Sequence, residues 1–457
     1  MFREKEKGPV KTGALAALLA IYLLGNLMLQ AFNLSYSDIG RDLGAGKMAD
    51  FLSVIPGIVL AVLSLLYDAL CDFVSARAIA FVGASFLIAG SLLGIFLHSF
   101  WGILAARILQ QSGSQAAGSV FLVSCVKRLP PKRKTFYIGL FGAVYSAASV
   151  LGVLAGGLVD SVPWNLLFIL PLFSLPFLPF LSSLPSGAKG GEKKVDYFGM
   201  ILFSLLAGSI SVFFDFLSLT SALVLIGLLL GFAVYALLNK NCFLPRKFLK
   251  NRGFMSAISV IIVFNLFSYA QIPIYQLIGK DVYHIPLEEV SWALAAVYAL
   301  TALIGAFSGK LVSWLGHYKT VLFSALAMVL GLGLSALFIG FNFWLLTVFA
   351  CIYNFGEIAA YSPLYSAATS ALLPEERGRG MGLCELSLNT TSAIGLSVYS
   401  ALLSSPLLSR LRLTASSSGF LASNVLWIMA LASALAAVLI ALFSKSLKNG
   451  DSASFRH

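Results

Sequence analysis

Charged residues are scarce in this sequence, and their scarcity excludes most soluble folds. Only 11% of the 457 residues are Asp, Glu, Lys or Arg, whereas 59% are hydrophobic. Soluble globular domains carry roughly 25% charged residues, which cover an apolar core with a polar surface. This chain has less than half of that supply. Its repeated apolar runs equally exclude an intrinsically disordered protein.

Motifs for metals, cofactors and covalent chemistry are also missing. The five cysteines stand apart, without a Cys-x-x-Cys pair, and none of the four histidines belongs to a ligand cluster. The sequence contains no P-loop, no dinucleotide-binding glycine motif and no nucleophile elbow. We therefore expect no metal site, no cofactor, no disulfide framework and no enzymatic activity.

Long apolar runs are what the sequence has in abundance. A helix needs about 20 mostly apolar residues to cross a bilayer. The first run is interpreted as a retained span, because no small-residue cleavage site follows it. We predict an all-α polytopic membrane protein with about fourteen transmembrane helices, near residues 13–34, 51–70, 77–97, 101–126, 137–158, 163–184, 197–217, 220–238, 254–278, 289–312, 319–339, 342–368, 381–404 and 421–444.

The basic residues are distributed unevenly among the predicted loops. With both chain termini in the cytoplasm, 25 of the 31 Lys and Arg residues lie on the cytoplasmic side, five lie outside, and Arg107 lies within a span. Inner loops of membrane proteins are typically the more basic. Topology and lipid headgroups thus account for the net charge of +12, without nucleic acid as a partner. We predict a multi-pass protein of the cell membrane with both termini cytoplasmic.

Several motifs resemble those of the major facilitator superfamily of transporters. The loop DALCDFVSAR (residues 68–77) resembles its signature G-x-L-x-D-x-x-G-x-x-R/K, with Asp72 in the acidic and Arg77 in the basic position. RILQQSG (107–113) resembles the family pattern R-x-x-Q-G-x-G, and GVLAGG (152–157) resembles the antiporter pattern G-P-x-x-G-G. The resemblance implies the major facilitator fold and alternating access to a central substrate site.

The resemblance extends to one branch of that superfamily, the drug:proton antiporters with fourteen spans. FNLSYSDIGRDL (32–43) is similar to their L-N-x-x-L-P-D-I stretch, and SALLSSPLLSRLRL (400–413) resembles Gram-positive tetracycline-efflux proteins. Those proteins carry a membrane-embedded glutamate in the penultimate span, where this chain has Ser392. The acid of this span, Glu385, stands roughly two helical turns earlier.

Two short echoes between the halves of the chain support a duplicated architecture. Residues 129–139 resemble 373–382 at an offset of 244, and residues 68–77 resemble 309–318 at an offset of 241. Secondary transporters are often built from such repeats. We expect an N-terminal six-helix half, two inserted central helices with their linkers, and a C-terminal six-helix half, over residues 1–184, 185–253 and 254–457.

The resemblance assigns roles to the signature residues. Asp72 and Arg77 would form a gating loop, and Gly152, Gly156 and Gly157 would form the antiporter-type helix bend. The glycines also make a small-x-x-x-small pattern, which allows close helix packing whether or not the helix bends. The family match places Arg107 in the central cavity as a proton-relay or substrate residue.

Ionisable residues inside apolar spans are candidates for the site on physical grounds. A buried charge such as Arg107 costs at least about 2.5–3.5 kcal/mol, so it needs a partner or a wet cavity. Three acids, Glu357, Glu385 and Asp215, also lie in apolar runs. In such surroundings a carboxyl group can bind and release a proton near neutral pH, which one in water does not. The alternative for Arg107 is a structural tie to backbone carbonyls, and that for Glu385 is a place near the membrane interface. The alternative for Asp215, which belongs to an inserted helix, is a role in stability or in pairing on the lipid-facing side.

Polar side chains at helical spacing form a second set of candidates. Such faces either line a cavity or make hydrogen bonds between helices. The candidates for cavity lining are Asn26, Gln30, Asn33, Gln110, Asn265, Tyr269, Asn354, Tyr361 and Asn389.

The expected function is proton-coupled export of small amphipathic molecules or drugs, by a monomer that uses a small-molecule substrate, protons and the lipid bilayer. Two alternatives stay open at this point: an uptake carrier for a nutrient or metabolite on the same fold, and a membrane sensor or scaffold that does not transport, since a fold does not fix a function.

Overall fold

The computed structural model describes residues 11–71, 74–129, 131–186, 195–305, 308–373, 376–413 and 419–444. These residues are overwhelmingly helical, and none of them is in a β-strand. The chain divides into two compact units, Met1–Val195 and Asp196–His457. The all-α architecture expected from the apolar runs is confirmed.

The described residues of the first unit form six α-helices. Their bounds are α1 Thr12–Asp42, α2 Phe51–Leu70, α3 Ala76–Phe96, α4 Phe100–Arg128, α5 Pro131–Gly157 and α6 Leu178–Leu181. In this unit α3 packs along α4, and α1 contacts both α4 and α5. Buried Leu, Ile, Phe and Ala side chains of α1, α3 and α4 form a continuous core.

In the second unit, the part of the chain that the structure describes forms ten α-helices. Their bounds are α7 Tyr197–Phe216, α8 Leu219–Leu238, α9 Arg246–Lys250, α10 Arg252–Asn265, α11 Gln271–Asp281, α12 Leu287–Gly305, α13 Ser308–Leu337, α14 Phe343–Ser370, α15 Arg377–Leu403 and α16 Phe420–Leu442. Here α13 packs against α14 and α16, and α15 contacts α7, α10 and α14.

Ten helices among the described residues are long and apolar enough to cross a membrane. They coincide with ten of the fourteen predicted spans. The other four predicted spans, 101–126, 254–278, 289–312 and 381–404, also fall on helices. Large apolar side chains are widely exposed, above all on α8, where Leu219 and Leu238 are each 77% exposed. Such a surface suits a bilayer, whereas the total of fourteen crossings stays a prediction.

The sixth predicted span is not a regular α-helix. Residues Trp164–Phe177 form a 3₁₀ helix, and only Leu178–Leu181 are α-helical. Pro171, Pro176 and Pro179 lie in this stretch, and each lacks the N–H group that an α-helix needs. The prolines therefore explain why an apolar run of the right length takes the tighter helix.

The ninth predicted span is interrupted. Residues 266–270 form turns between α10 and α11, within the range 254–278 that the sequence predicts as one helix. Pro273 lies in the first turn of α11 and has no N–H for the Tyr269 carbonyl. The interruption, called the break below, is therefore residues 266–270.

The twelfth predicted span is regular where the sequence predicts an irregularity. The sequence suggests that Gly356 and Pro363 loosen this helix, yet α14 is continuous through both of them. A further irregularity lies in α13, where Gly316 has φ 77°. Only glycine takes such a conformation without strain, and this residue falls in the loop predicted between spans 289–312 and 319–339.

Candidate functional site

Arg107 lies inside the first unit and is completely buried, with 0% of its surface exposed. Its Nη1 donates a hydrogen bond of 2.9 Å to Oε1 of Gln110, one helical turn away on α4. The Nε2 of Gln110 donates in turn to the Ser91 hydroxyl on α3, also at 2.9 Å. The guanidinium carbon lies 4.2 Å from the ring centre of Phe32 on α1. The ring and the amide thus hold the cation from two sides.

The hydrogen bonding of Arg107 is incomplete. Within the described part of the chain, neither Nε nor Nη2 has a hydrogen-bond partner. A buried group that lacks its hydrogen bonds costs free energy, and a charged one costs more. The guanidinium therefore has two donor nitrogens available for a ligand or water. Of the two interpretations from the sequence, the tie to backbone carbonyls is not what this geometry shows.

The polar side chains of α1 connect it to α4 and α5. Asn26 donates to the Tyr22 carbonyl at 2.9 Å and to the Ser114 hydroxyl at 3.3 Å. Gln30 donates to the Ser149 hydroxyl at 3.4 Å, and its Oε1 accepts from Asn33 at 3.4 Å. All three α1 side chains are buried. In this conformation Asn26 and Gln30 make hydrogen bonds between helices, whereas Asn33 bonds within α1, and their contact with a substrate stays a prediction.

The predicted helix-bend glycines lie on α5, where it crosses α1. A Cβ atom on Gly152 would be 2.4 Å from the Leu27 carbonyl oxygen, and one on Gly156 would be 2.7 Å from the Ala31 carbonyl oxygen. The two backbones therefore approach each other more closely than any larger residue would allow. Gly157 ends the helix. Close packing is what the structure shows, and bending during transport stays a prediction.

Only half of the predicted gating loop is visible in the structure. Asp72 lies outside the described residues. Arg77, at the start of α3, donates from Nε to the Leu184 carbonyl at 2.9 Å. Its backbone N–H donates to the Pro185 carbonyl at 3.3 Å. Arg77 thus fixes the end of the sixth span to the start of the third.

Glu385 forms the centre of a hydrogen-bonded cluster in the second unit. Tyr361 of α14 donates to its Oε1, and Tyr365 lies nearby, although its hydroxyl has no hydrogen-bond partner within the described residues. The rings of Tyr361 and Tyr365 stack at 4.3 Å. Asn389 of α15 lies 3.5 Å from Oε2. Tyr361 and Asn389 are therefore the hydrogen-bond donors to this carboxyl group, and its position relative to the membrane interface stays a prediction.

The break contacts this cluster and lies near the second acid of the unit. The Tyr269 hydroxyl, inside the break, donates to Oδ1 of Asn389 at 3.2 Å. Ser268, also inside the break, lies near Glu357 and Tyr353 of α14, but its hydroxyl has no hydrogen-bond partner within the described residues. Glu385 is thus connected to the break through Asn389 and Tyr269, whereas Glu357 lies beside the break without a hydrogen bond to it.

Helix α15 holds the break from the other side. The Ser392 hydroxyl donates to the Asn265 carbonyl at 3.1 Å. A Cβ on Gly395 would lie only 1.3 Å from the Leu266 carbonyl oxygen. Ser392 is the position aligned with the glutamate of the tetracycline-efflux proteins. In this chain it contributes a hydroxyl that binds the backbone at the break.

The remaining predicted residues lie apart from these clusters or serve their own helix. Asn265 and Asn354 donate to the carbonyls one turn earlier, Ile261 and Ala350, both at 2.9 Å. Asp215 is half-buried on α7. The described residues contain no group of three or more His, Cys, Asp or Glu that could hold a metal ion.

Several site residues escaped the sequence interpretation. Phe32 is one aromatic residue within an apolar span, so nothing in the sequence marks it as the partner of Arg107. Ser91 is a short polar residue in an apolar run. A hydroxyl within a span needs a hydrogen-bond partner, but the sequence does not show which helix provides it.

Comparison with known proteins identifies the family. The protein-family model described as Major Facilitator Superfamily matches residues 16–238 and 253–454 of this chain. Multidrug resistance protein 3 of Bacillus subtilis is 26% identical over 390 residues, which cover 78% of this chain and 73% of that protein. Probable transport protein HsrA of Haemophilus influenzae is 23% identical over 316 residues, covering 66% and 68% respectively.

Solved structures agree in fold. The crystal structure of a peptide transporter POT in complex with sulfate superposes with a TM-score of 0.70 at 13% identity, covering 97% of this chain and 98% of that one. At this identity the similarity shows the fold alone. The family match, which includes nearly the whole chain, agrees with the apolar helices and the buried ionisable groups. The chain belongs to the Major Facilitator Superfamily and is a multi-pass membrane transporter.

Proposed function

We propose that this transporter exports small amphipathic molecules in exchange for protons. It would act as a monomer in the cell membrane with both termini in the cytoplasm. The proposal draws on its similarity to a multidrug resistance protein over three quarters of the chain. It also draws on the fourteen-span antiporter motifs of the sequence. An apolar membrane protein with a few buried polar groups suits ligands that are themselves mostly apolar.

The observation that carries the proposal is the incompletely bonded guanidinium of Arg107. A fully buried cation with two unpartnered nitrogens, within the described residues, has a donor site ready for an anionic or polar group. Buried ionisable residues of membrane proteins typically belong to substrate or proton pathways. Arg107 therefore binds substrate or takes part in proton relay, with Gln110 and Phe32 holding it in place.

The two glutamates of the second unit supply the proton chemistry. Glu357 and Glu385 each bind a proton in one state and release it in the other. Because Glu385 is connected to the break through Asn389 and Tyr269, and Glu357 lies near Ser268, protonation of either acid changes the surroundings of an element that lacks regular helical hydrogen bonding. A ligand or proton that interacts differently with two conformations shifts their populations. Coupling of the proton to substrate access follows from this linkage.

The test uses purified protein in liposomes with an imposed pH gradient. We expect a fluorescent amphipathic drug to move against its concentration gradient, and Glu357→Gln to abolish this movement. Asp215→Asn is the matched control, because it neutralises a half-buried membrane acid of an inserted helix and should retain transport. Equal loss in both variants would show that the effect is structural.

Export and uptake are separated in whole cells. Deletion of the gene should increase drug sensitivity without creating a growth requirement. Accumulation of a labelled metabolite in cells, without drug flux, would favour the uptake carrier instead. The absence of any proton or solute flux would favour the sensor or scaffold.

A further inference from the structure

The segment that joins α8 to α10 has an unusual charge. Residues 239–252 contain five basic residues and no acidic residue. We call this segment the strap. It includes the short helix α9, whose bounds are Arg246–Lys250. Nothing in the proton-coupled mechanism uses these cations.

The strap is held firmly against α7 and α8 by Asp196. The Asp196 carboxylate caps α7 by accepting from the Gly199 N–H at 2.9 Å, and it accepts from the Phe243 N–H of the strap, also at 2.9 Å. Tyr235 of α8 donates to the same carboxylate. Phe243 is 4% exposed. One carboxylate thus fixes two helices and the strap together.

The strap is equally tied to α14 and α15. The guanidinium of Arg379 donates to the carbonyls of Cys242 and Phe243, both at 2.9 Å. Asn251 donates from Nδ2 to the Ala371 carbonyl at 2.7 Å. The backbone of the strap is therefore an ordered surface and not a free loop, so its side chains project from fixed positions.

Four of the five strap cations project into the surroundings. Lys247 forms an ion pair with Glu376. Lys240, Arg246, Lys250 and Arg252 are exposed, and no salt bridge is found for them within the described part of the chain. Their charges are spaced along 13 residues of an ordered segment. An ordered row of cations without salt-bridge partners attracts either one anion with several charges or several anions side by side.

The position of the strap identifies the kind of anion. It begins directly after Leu238, the 77% exposed last residue of α8, and ends where α10 starts. It therefore lies where two apolar helices leave the hydrocarbon layer. Phe248 is buried against Phe254, whereas Leu249 is 42% exposed beside the cations. Basic side chains next to exposed apolar ones are typical of a surface that contacts lipid headgroups.

We propose that the strap binds the headgroups of anionic phospholipids. Lys240, Arg246, Lys250 and Arg252 would pair with headgroup phosphates, and Leu249 would contact the acyl chains. A free anion offers no acyl chain, so Leu249 and Leu238 favour lipid over inorganic phosphate. Because Arg379 and Glu376 connect the strap to α15, bound lipid stabilises the helix that holds the break.

The test measures lipid binding to the purified full-length protein. Phosphatidylglycerol, titrated into detergent-solubilised protein, should remain bound in native mass spectrometry and raise the melting temperature, whereas phosphatidylcholine should do neither. Arg246→Gln combined with Lys250→Gln should weaken phosphatidylglycerol binding by about tenfold or more. Arg410→Gln combined with Arg412→Gln removes the same charge from another exposed loop and should have no such effect.

Two further outcomes decide the proposal. Arg246→Lys combined with Lys250→Arg keeps the charge and should retain binding, which guards against a general loss of folding in the neutral variant. Binding should weaken as salt rises. The proposal is overturned if both lipids bind equally, if the control variant loses binding to the same extent, or if inorganic phosphate at matched concentration competes fully with the lipid.

Discussion

At the scale of single residues, Arg107 makes the sharpest prediction. Arg107→Leu removes a buried charge whose hydrogen bonding is incomplete, so the folded state should lose little and could gain about 1–4 kcal/mol. Transport should be lost, because the leucine has no donor for a substrate or proton pathway. Thermal unfolding and liposome flux of the same preparation measure the two effects.

A structural role for Arg107 predicts the reverse pattern. The melting temperature of the leucine variant would then fall by several degrees, and any residual flux would scale with the amount of folded protein. Ile108→Leu, an apolar change at the next position of α4, provides the control for helix packing.

The candidate residues could be predicted singly but not in their pairs. An ionisable residue within an apolar run costs free energy to place in the membrane, so Arg107, Glu357 and Glu385 stand out in the sequence. Their partners do not, because Tyr361 and Glu385 are 24 residues apart on different helices. Helical periodicity shows which side chains share a face, but it does not show which other helix that face contacts.

At the scale of helices, the crossing of α1 and α5 depends on Gly152. Gly152→Ala would place a methyl group 2.4 Å from the Leu27 carbonyl oxygen. The two helices must then separate, which should cost about 1–3 kcal/mol. Gly142→Ala on the same helix is the matched control, because no atom lies within 4 Å of its added Cβ. Melting temperatures of both variants measure the difference, and equal values would contradict the packing described here.

The junction between α15 and the break gives a second prediction at this scale. Gly395→Ala would force a Cβ onto the Leu266 carbonyl oxygen, at 1.3 Å. We expect a greater loss of melting temperature than for Gly152→Ala, together with loss of transport. Gly231→Ala on α8 meets no atom within 4 Å. It should instead be neutral or gain up to about 1 kcal/mol of helix stability. An unchanged Gly395→Ala protein would show that the break is not held by α15.

The helices themselves followed from the sequence, and their irregularities did so only in part. Apolar runs of span length predicted where helices form, because the bilayer demands internal hydrogen bonding. Pro171 and Pro176 indicate a departure from the regular α-helix at the sixth span, but hydropathy alone predicts an ordinary helix there. Pro273 indicates the break in the same way, whereas Pro363 lies inside a continuous helix. Proline marks a lost hydrogen bond, and the neighbouring helices decide whether the chain bends.

At the scale of the whole molecule, the topology is open to direct test. Leu219→Cys lies at the start of α8, next to the turn from α7, and Lys240→Cys lies in the strap. If the inserted pair crosses the membrane, an impermeant maleimide should label position 219 from outside the cell and position 240 only after permeabilisation. The partly exposed native Cys71 and Cys351 are replaced by alanine in both variants. Labelling of both positions only after permeabilisation would reduce the crossings to twelve.

The fold class was predictable because composition and span length leave few alternatives for such a chain. The eroded motifs around Asp72 and Arg107 still identified the superfamily, since several of them recur at family spacing. Substrate and direction of transport did not follow. They depend on which side chains face the ligand in each conformation, and hydropathy carries no information about that.

The central claim is that proton movement and solute movement are coupled through the half-buried Glu357 and Glu385. The most direct measurement uses liposomes that contain the protein and a trapped pH-sensitive dye. Adding an amphipathic drug should evoke proton counterflow in the native protein and none with Glu357→Gln, while Asp215→Asn behaves as native. Drug flux without any proton signal, or an unchanged signal in Glu357→Gln, would contradict the account.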